Sequence, residues 1–475
     1  MRGLLTSSIG VTCAAALTLP PAVLNVPSAV AAPAERTTTT TLRGSTQSLP
    51  LTPRTRERVL GQAPELGVYS ADVRPFSLVG VVWGNPGTAL NGRVQVRTRS
   101  TATGQWSGWQ DVETHNADHG ADPGTAEAAS GRVHGATAPL WVGDSNGVDV
   151  RVRAGEGDED GVDADADADA DVDGAPGPGG RPPVVGRDLL PAGLRLELVD
   201  PGDDTPPDDT PPDDTPPDDE PADGPRTNSE DDASAAVNAG LTDVDSTEIP
   251  ALSREDTERE LSELNDTDAL LVRPYIGPRP KIVTRRGWGA DESLREKGFV
   301  YTGKIKAAFV HHTASGNGYT CSQAPSVIRS IYRYHVVSMG WRDIGYNFLV
   351  DKCGTIYEGR AGGVAKAVRG AHTLGFNNNS MGIAVIGTYG SHKPSASAVT
   401  AVAKLTAWKL GLFGANPKGK TYLKSGGGNL YPKGKNVRLN VISGHRDGYA
   451  TECPGAKLYA KLGSARTSSA RLQGR

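Results

Sequence analysis

Three consecutive Thr-Pro-Pro-Asp-Asp units run from Thr205 to Asp219, and no packed core accommodates such a stretch. Each proline fixes its own φ and removes a backbone donor, while neighbouring carboxylates repel, so the stretch is expected to be an extended, semi-rigid, disordered spacer. A chain of 475 residues is long enough for more than one domain, and the repeats say where it divides. Charge divides at the same place. Every lysine lies at or beyond Lys281, and Tyr275 to Arg475 holds 30 Lys and Arg against 8 Asp and Glu, a net of +22 in a chain of total −5, leaving −27 ahead of Tyr275. We therefore expect an acidic Pro/Asp-rich linker over 201–274, with at most a helical turn at Ser253 to Ser262, and a strongly cationic domain after it.

At the start of the chain, Arg2 precedes a short apolar run from Leu4 to Leu19, and Ala29-Val30-Ala31 offers a small-residue cleavage pattern. The run is diluted by Thr and Ser and followed by prolines, so residues 1–31 read as a secretory signal peptide rather than a membrane span. A lipid anchor on Cys13 is the rival reading, although Gly10 and Thr12 suit a lipidated cysteine poorly. No other stretch approaches the roughly 18 continuous apolar residues of a spanning helix, so no membrane anchor is expected. An exported domain this cationic should be drawn to anionic polymers by an attraction that salt screens. Nucleic acid would suit the charge, but export and missing binding motifs argue against it.

Residues 70–200 read as an all-β, sandwich-like accessory domain. Phe76 to Trp83 is a buried-strand run, whereas Val94 to Arg97, Val148 to Arg153 and Leu194 to Leu198 alternate with period two. Trp83, Trp106, Trp109 and Trp141 are either core or a platform for stacking sugars. An acidic insertion near 155–187 contains alternating aspartates from Asp163 to Asp171. Its register Asp169, Asp171, Asp173 imitates the start of a calcium loop, yet the twelfth position is Gly180, so a solvated, self-repelling loop is the better account.

In the cationic domain, Ala307-Ala308-Phe309-Val310 is an apolar run ending abruptly in His311-His312-Thr313. Val441-Ile442-Ser443-Gly444 repeats that arrangement with His445, and Cys453 follows before Pro454-Gly455. Two neutral nitrogens and one thiolate suit a tetrahedral zinc whose fourth position is left to water, as in catalytic rather than closed structural sites. Ligands so far apart need a preformed scaffold. Any one of these histidines taken alone reads more readily as a hydrogen-bonded structural residue. Ser322 to Ser338 and Ser397 to Leu412 read as helices, and Tyr346 to Val350 and Gly382 to Ile386 as buried strands, so the fold class is α/β with a mixed sheet packed by helices.

From about Arg279 to Leu462 the chain resembles the peptidoglycan recognition protein and type-2 N-acetylmuramoyl-L-alanine amidase family. The resemblance rests on Trp288-Gly-Ala290, His311-His312-Thr313, Trp341-Arg-Asp-Ile-Gly-Tyr-Asn-Phe348, Gly354-Thr-Ile-Tyr-Glu-Gly-Arg360, Gly370-Ala-His-Thr373, Asn379-Ser-Met-Gly-Ile383, Gly444-His-Arg-Asp447 and Cys453-Pro-Gly455. It implies a zinc amidase domain over 279–465, peptidoglycan as partner, a secreted or cell-wall location, and hydrolysis of the amide joining N-acetylmuramic acid to the first L-alanine of the stem peptide. It implies His311, His445 and Cys453 as Zn2+ ligands and His312 or a nearby carbonyl as their support. Tyr346 matches the catalytic tyrosine. Thr451, the second catalytic candidate, stands where some phage amidases place Lys, and Ala384 where another branch places Glu, so catalysis should rest chiefly on Tyr346. Arg360, His372, Asn379 and Arg446 match residues lining or supporting the substrate cleft, and each could instead be structural. Ala361-Gly362-Gly363 does not reveal which stem peptide is preferred.

With Cys13 lost in the signal, three thiols remain and two of them can pair in three ways. If Cys453 is a ligand, as the resemblance implies, the disulfide joins Cys321 and Cys353. The alternative function is a non-catalytic peptidoglycan-binding receptor, whose members typically lack the Cys ligand. No His-Glu-x-x-His stretch supports an unrelated zinc peptidase.

Overall fold

Phe76–Trp83 is buried at all eight positions, whereas the strands on either side of it, Arg195–Gly202 and Leu140–Ala154, each leave positions partly or fully exposed. Its two faces explain this. Val79, Val81 and Trp83 point into the N-terminal domain's own core, while Leu78 and Val82 point the other way into a cluster with Val327, Ile328, Ile331 and Tyr334 of the C-terminal domain. Between them Gly80 lets the Tyr334 phenol pass, since a Cβ there would lie 2.3 Å from its oxygen, and that hydroxyl donates to the Thr137 carbonyl at 3.1 Å. The two domains therefore share a core across one strand.

The computed structural model describes residues 43–54, 65–114, 116–155, 190–202, 229–264 and 275–475. The expected signal peptide with Cys13, the alternating aspartates of the insertion and the Thr-Pro-Pro-Asp-Asp repeats lie outside them. No helix among the described residues is long and apolar enough to cross a membrane.

The N-terminal domain is all antiparallel, in the order Arg43–Pro50, Arg195–Gly202, Phe76–Trp83, Leu140–Ala154, Glu65–Ser70, Thr52–Pro53. Leu140–Ala154 is long enough to pair with Phe76–Trp83 at its start and with Gly92–Ser100 farther on, which brings two layers around one core. The four tryptophans divide. Trp83 and Trp141 are buried, Trp141 in the shared cluster, whereas Trp106 and Trp109 are half-buried outside it, with Arg97 near both rings and Arg151 4.1 Å from the centre of the Trp109 ring. One platform of four aromatics does not form.

The expectation of a linker through 201–274 needs correcting for its second half. Ser229–Ala236 and Arg254–Leu264 are helices, and Glu248–Ile249 pairs antiparallel with Ile282–Val283 at the edge of the C-terminal sheet. A few apolar anchors in this polar stretch are enough. Ile249 is fully buried, Leu241 and Leu261 pack on the same core, and the Asn238 amide donates to both Glu358 oxygens at 3.0 and 3.1 Å.

The C-terminal domain is built on a seven-stranded mixed sheet, in the order Glu248–Ile249, Ile282–Val283, Ile356–Glu358, Phe348–Val350, Ser380–Val385, Ala307–His312, Ile442–Gly444. Ala307–His312 lies between two parallel neighbours and is buried at every position, as a central parallel strand covered on both faces must be. Ala396–Gly411, capped by the Ser395 hydroxyl, and the terminal helix Leu462–Leu472 pack together on one side. Ala324–Arg333 covers the other side and continues through Tyr334–Ser338 as a wider turn, so the helix expected over 322–338 is present in two forms. The arrangement is the expected α/β domain behind an all-β domain.

Cys321 and Cys353 are joined, with Cα atoms 6.2 Å apart and a separation of 32 in sequence. Closing a loop of that length restricts the unfolded chain by about 3–4 kcal/mol. Cys321→Ser with Cys353→Ser should therefore lower the free energy of unfolding of the C-terminal domain by that amount in denaturant titrations. A loss below about 1 kcal/mol would mean that strain cancels the gain.

Candidate functional site

The parallel pairing of Ala307–His312 with Ile442–Gly444 ends both strands at one edge of the sheet, and so delivers His311 and His445 side by side, ring centres 4.5 Å apart. The chain then turns through His445–Asp447 and returns in a loop that brings the Cys453 sulfur to 3.8 Å from His311 Nδ1. A fourth residue joins them. His119, from the loop between strands Gln110–Val112 and Gly135–Ala136 of the N-terminal domain, places its ring 4.6 Å from that of His445 and 5.3 Å from that of His311. One donor atom from each of His119, His311, His445 and Cys453 lies within 4.8 Å of every other.

The hydrogen bonds say which atoms face the centre. His311 Nε2 is taken up at 3.3 Å by His372 and 3.4 Å by Thr373, His445 Nε2 at 3.2 Å by the Asp118 carbonyl, and His119 Nδ1 at 2.9 Å by the Asp118 carboxylate. That leaves His311 Nδ1, His445 Nδ1 and His119 Nε2 turned inward beside the sulfur. His445 Nδ1 and His119 Nε2 are buried without a hydrogen-bond partner, which an interior does not tolerate unless another group completes them. Two imidazoles are also held in the ligand form. Burial lowers His311 well below the usual histidine range, with neighbouring histidines adding to it, and burial brings His445 down to about 3 against the pull of Asp118. Burial raises the Cys453 thiol well above its usual range, with Asp118 adding to it, so a thiolate there requires a cation beside it. Nitrogen and sulfur donors in this number, with their outer atoms engaged, fit zinc.

Tyr346 precedes Phe348–Val350 and stands over the cluster, its ring 5.5 Å from that of His311 and 5.8 Å from those of His119 and His335. Burial raises its phenol well above the usual tyrosine range, with the neighbouring Cys453 and Asp118 adding to it, so it stays a donor. Thr451 faces the same cavity and accepts the Cys453 N–H at 3.2 Å. Ala384 pairs in register with His311 and places no carboxylate beside it.

The four residues expected at the cleft have different fates. Arg360 is buried and bidentate on Glu127, at 2.9 Å to each oxygen. His372 is wholly buried behind His311 and acts on that ring rather than on the cleft. Arg446 braces the cysteine loop, donating to the Glu452 carbonyl at 3.1 Å while its backbone N–H bonds the Cys453 carbonyl. Asn379 is not at the site. It sits in the left-handed turn that starts Ser380–Val385, bonded to Thr302 and Lys304, five positions and about 16 Å back along the strand from the partner of His311. His312 accepts the Tyr389 N–H at 3.2 Å, which fixes its ring at the cavity wall.

Sequence reasoning missed His119, Asp118, Asp122 and Glu127. One signal was present. Residues 113–134 form a stretch of 22 without hydrophobic period between two strands, and loops longer than about 12–15 residues are commonly functional.

Two family descriptions match the chain: N-acetylmuramoyl-L-alanine amidase over residues 301–456, and Rv3811 N-terminal galactose-binding domain-like over residues 31–177. Peptidoglycan-recognition protein SC2 of Drosophila simulans is 28% identical over 181 residues, 38% of this chain and 84% of that protein. Peptidoglycan-recognition protein SC1a of Drosophila melanogaster is 31% identical over 193 residues, 41% of this chain and 90% of that protein. Among solved structures, wild-type Drosophila PGRP-LB is similar at 28% identity over 38% of this chain and 92% of that chain, with a TM-score of 0.30.

Proposed function

Because the chain belongs to the peptidoglycan recognition protein and type-2 N-acetylmuramoyl-L-alanine amidase family, we propose that it is an exported zinc hydrolase that cleaves the amide between N-acetylmuramic acid and the first L-alanine of peptidoglycan. The observation that carries this reading is the buried thiol of Cys453 beside the inward nitrogens of His311 and His445. His311 and His445 would hold zinc as neutral imidazoles and Cys453 as a thiolate. The ion would supply Lewis-acid polarisation of the scissile carbonyl and a more acidic water nucleophile.

The chain's own residues do the rest. His372 and Thr373 hold the His311 ring from behind, so its donor nitrogen keeps one direction. The protonated Tyr346 phenol is the donor for the negative charge that develops on the carbonyl oxygen as the tetrahedral carbon forms. Thr451 holds the Cys453 backbone in place through its hydroxyl. The cationic surplus of residues 275–475 draws the domain to anionic wall polymers.

Incubated with peptidoglycan, the purified chain should create new N-terminal L-alanine and no new reducing sugar ends. Chelation should stop this and stoichiometric zinc restore it. Zinc-loaded protein that binds muropeptides and yields no L-alanine ends under any of the conditions below would leave a receptor instead, with Thr451 and Ala384 as the departures responsible.

A further inference from the structure

An enzyme site needs an open position, and here a side chain from another domain stands in it. Zinc sites with four protein ligands are closed and structural, whereas hydrolytic ones keep a place for water. His119 supplies that fourth donor. Asp118 grips its Nδ1, which leaves Nε2 as a buried lone pair among the donors of His311, His445 and Cys453.

The rest of the loop is turned the same way. A surface loop normally points its polar side chains at water. In this one Asn116, Asp118, Asp122 and Glu127 are buried, and the last three are bonded into the C-terminal domain. The Asp122 carboxylate takes the Gly375 N–H at 2.8 Å and the Asn377 amide at 2.6 Å, and that amide also donates to the Gly120 carbonyl. Glu127 neutralises Arg360 and accepts the Arg342 N–H at 3.3 Å. The Asp118 carbonyl accepts the Leu374 N–H, and His134 is bonded to Met339 and Ser338. Asn116 and His119 wall the cavity that remains above Tyr346, His312 and Thr451. The contacts are polar almost throughout, and only Ala121 and Val133 pack against the shared apolar cluster. Because these contacts are buried, the loop can leave only where water or a competing anionic ligand takes over the donors it releases.

We propose that residues 116–134 are an internal plug: His119 closes the metal site as a fourth ligand, Asp122 and Glu127 anchor the segment to the C-terminal domain, and hydrolysis stays at a low basal rate until His119 is displaced. The latency rests on the hydrolase reading above, but the closure does not.

The test uses the full chain loaded with cobalt in place of zinc, as wild type, His119→Ala and His119→Gln. In the wild type, added azide should leave the visible cobalt bands unchanged, because no position is free. In both variants the bands should shift on azide addition, and metal affinity should fall by at least about tenfold. Turnover of muropeptide by the zinc forms should rise by at least about tenfold in the variants, since rate follows the fraction of chain in the open state. The glutamine variant keeps a polar side chain of similar reach, so a folding defect in the alanine variant alone does not decide the matter. A wild-type spectrum that responds to azide as the variants do overturns the plug, as does a variant whose metal affinity is unchanged or whose turnover falls. The two readings fail separately. Azide-blind wild type and azide-responsive variants that all release no L-alanine would end the hydrolase reading and keep the closure, whereas wild type turning over at the variants' rate with an open spectrum would end the plug and keep the hydrolase.

Discussion

Replacing Cys453 by serine is expected to remove zinc and hydrolysis together while leaving the fold in place. The thiol is buried among nitrogen donors, and the substitution changes one atom, so packing is nearly preserved. What changes is the ability to be an anion. A serine hydroxyl does not ionise at neutral pH, and the cluster loses its one negatively charged donor. A four-ligand protein site gains about 10–16 kcal/mol from zinc, so one ligand accounts for roughly 3–4 kcal/mol, or 10²- to 10³-fold in affinity. Metal analysis after dialysis against a weak chelator, run beside a thermal melt, checks both halves. Stoichiometric zinc retained by the serine variant would remove Cys453 from the site.

Tyr346→Phe should do the opposite, keeping zinc and slowing release of L-alanine on the order of 10²-fold, about 2.7 kcal/mol in the barrier. The ring stays packed against His311 and His335, so geometry survives and only the hydroxyl is lost. Because burial keeps that hydroxyl protonated, its contribution is that of a donor rather than a base. Single-turnover rates in the parent chain and in the His119→Ala background should show the same ratio. A rate unchanged by phenylalanine would make Tyr346 a packing residue.

The meeting of His311 and His445 was legible because strand composition ending in a polar residue announces a strand mouth, and both are at one. The linear pattern also carried the helices flanking the sheet. It did not carry depth or direction. Asn379 matched a motif beside the strand, but a motif does not say which end of a parallel strand faces the chemistry, and Asn379 starts it. Phe76–Trp83 read as a buried run without revealing that its second face is covered by another domain. The stretch 113–134 has no period to read, because its residues are placed by carboxylates finding donors some 230 to 260 positions away. Such pairings are invisible until the chain is folded.

Gly80, which gives way to the phenol of Tyr334, shows how far the two halves depend on each other. A recombination that attached a different front module to this sheet would leave Val327, Ile328, Ile331 and Tyr334 facing water, a sticky patch rather than a clean seam. The front module is thus a poor candidate for shuffling. Inheritance should keep the pair together as one unit, and substitutions at position 80 and position 334 should be found in step, small opposite large.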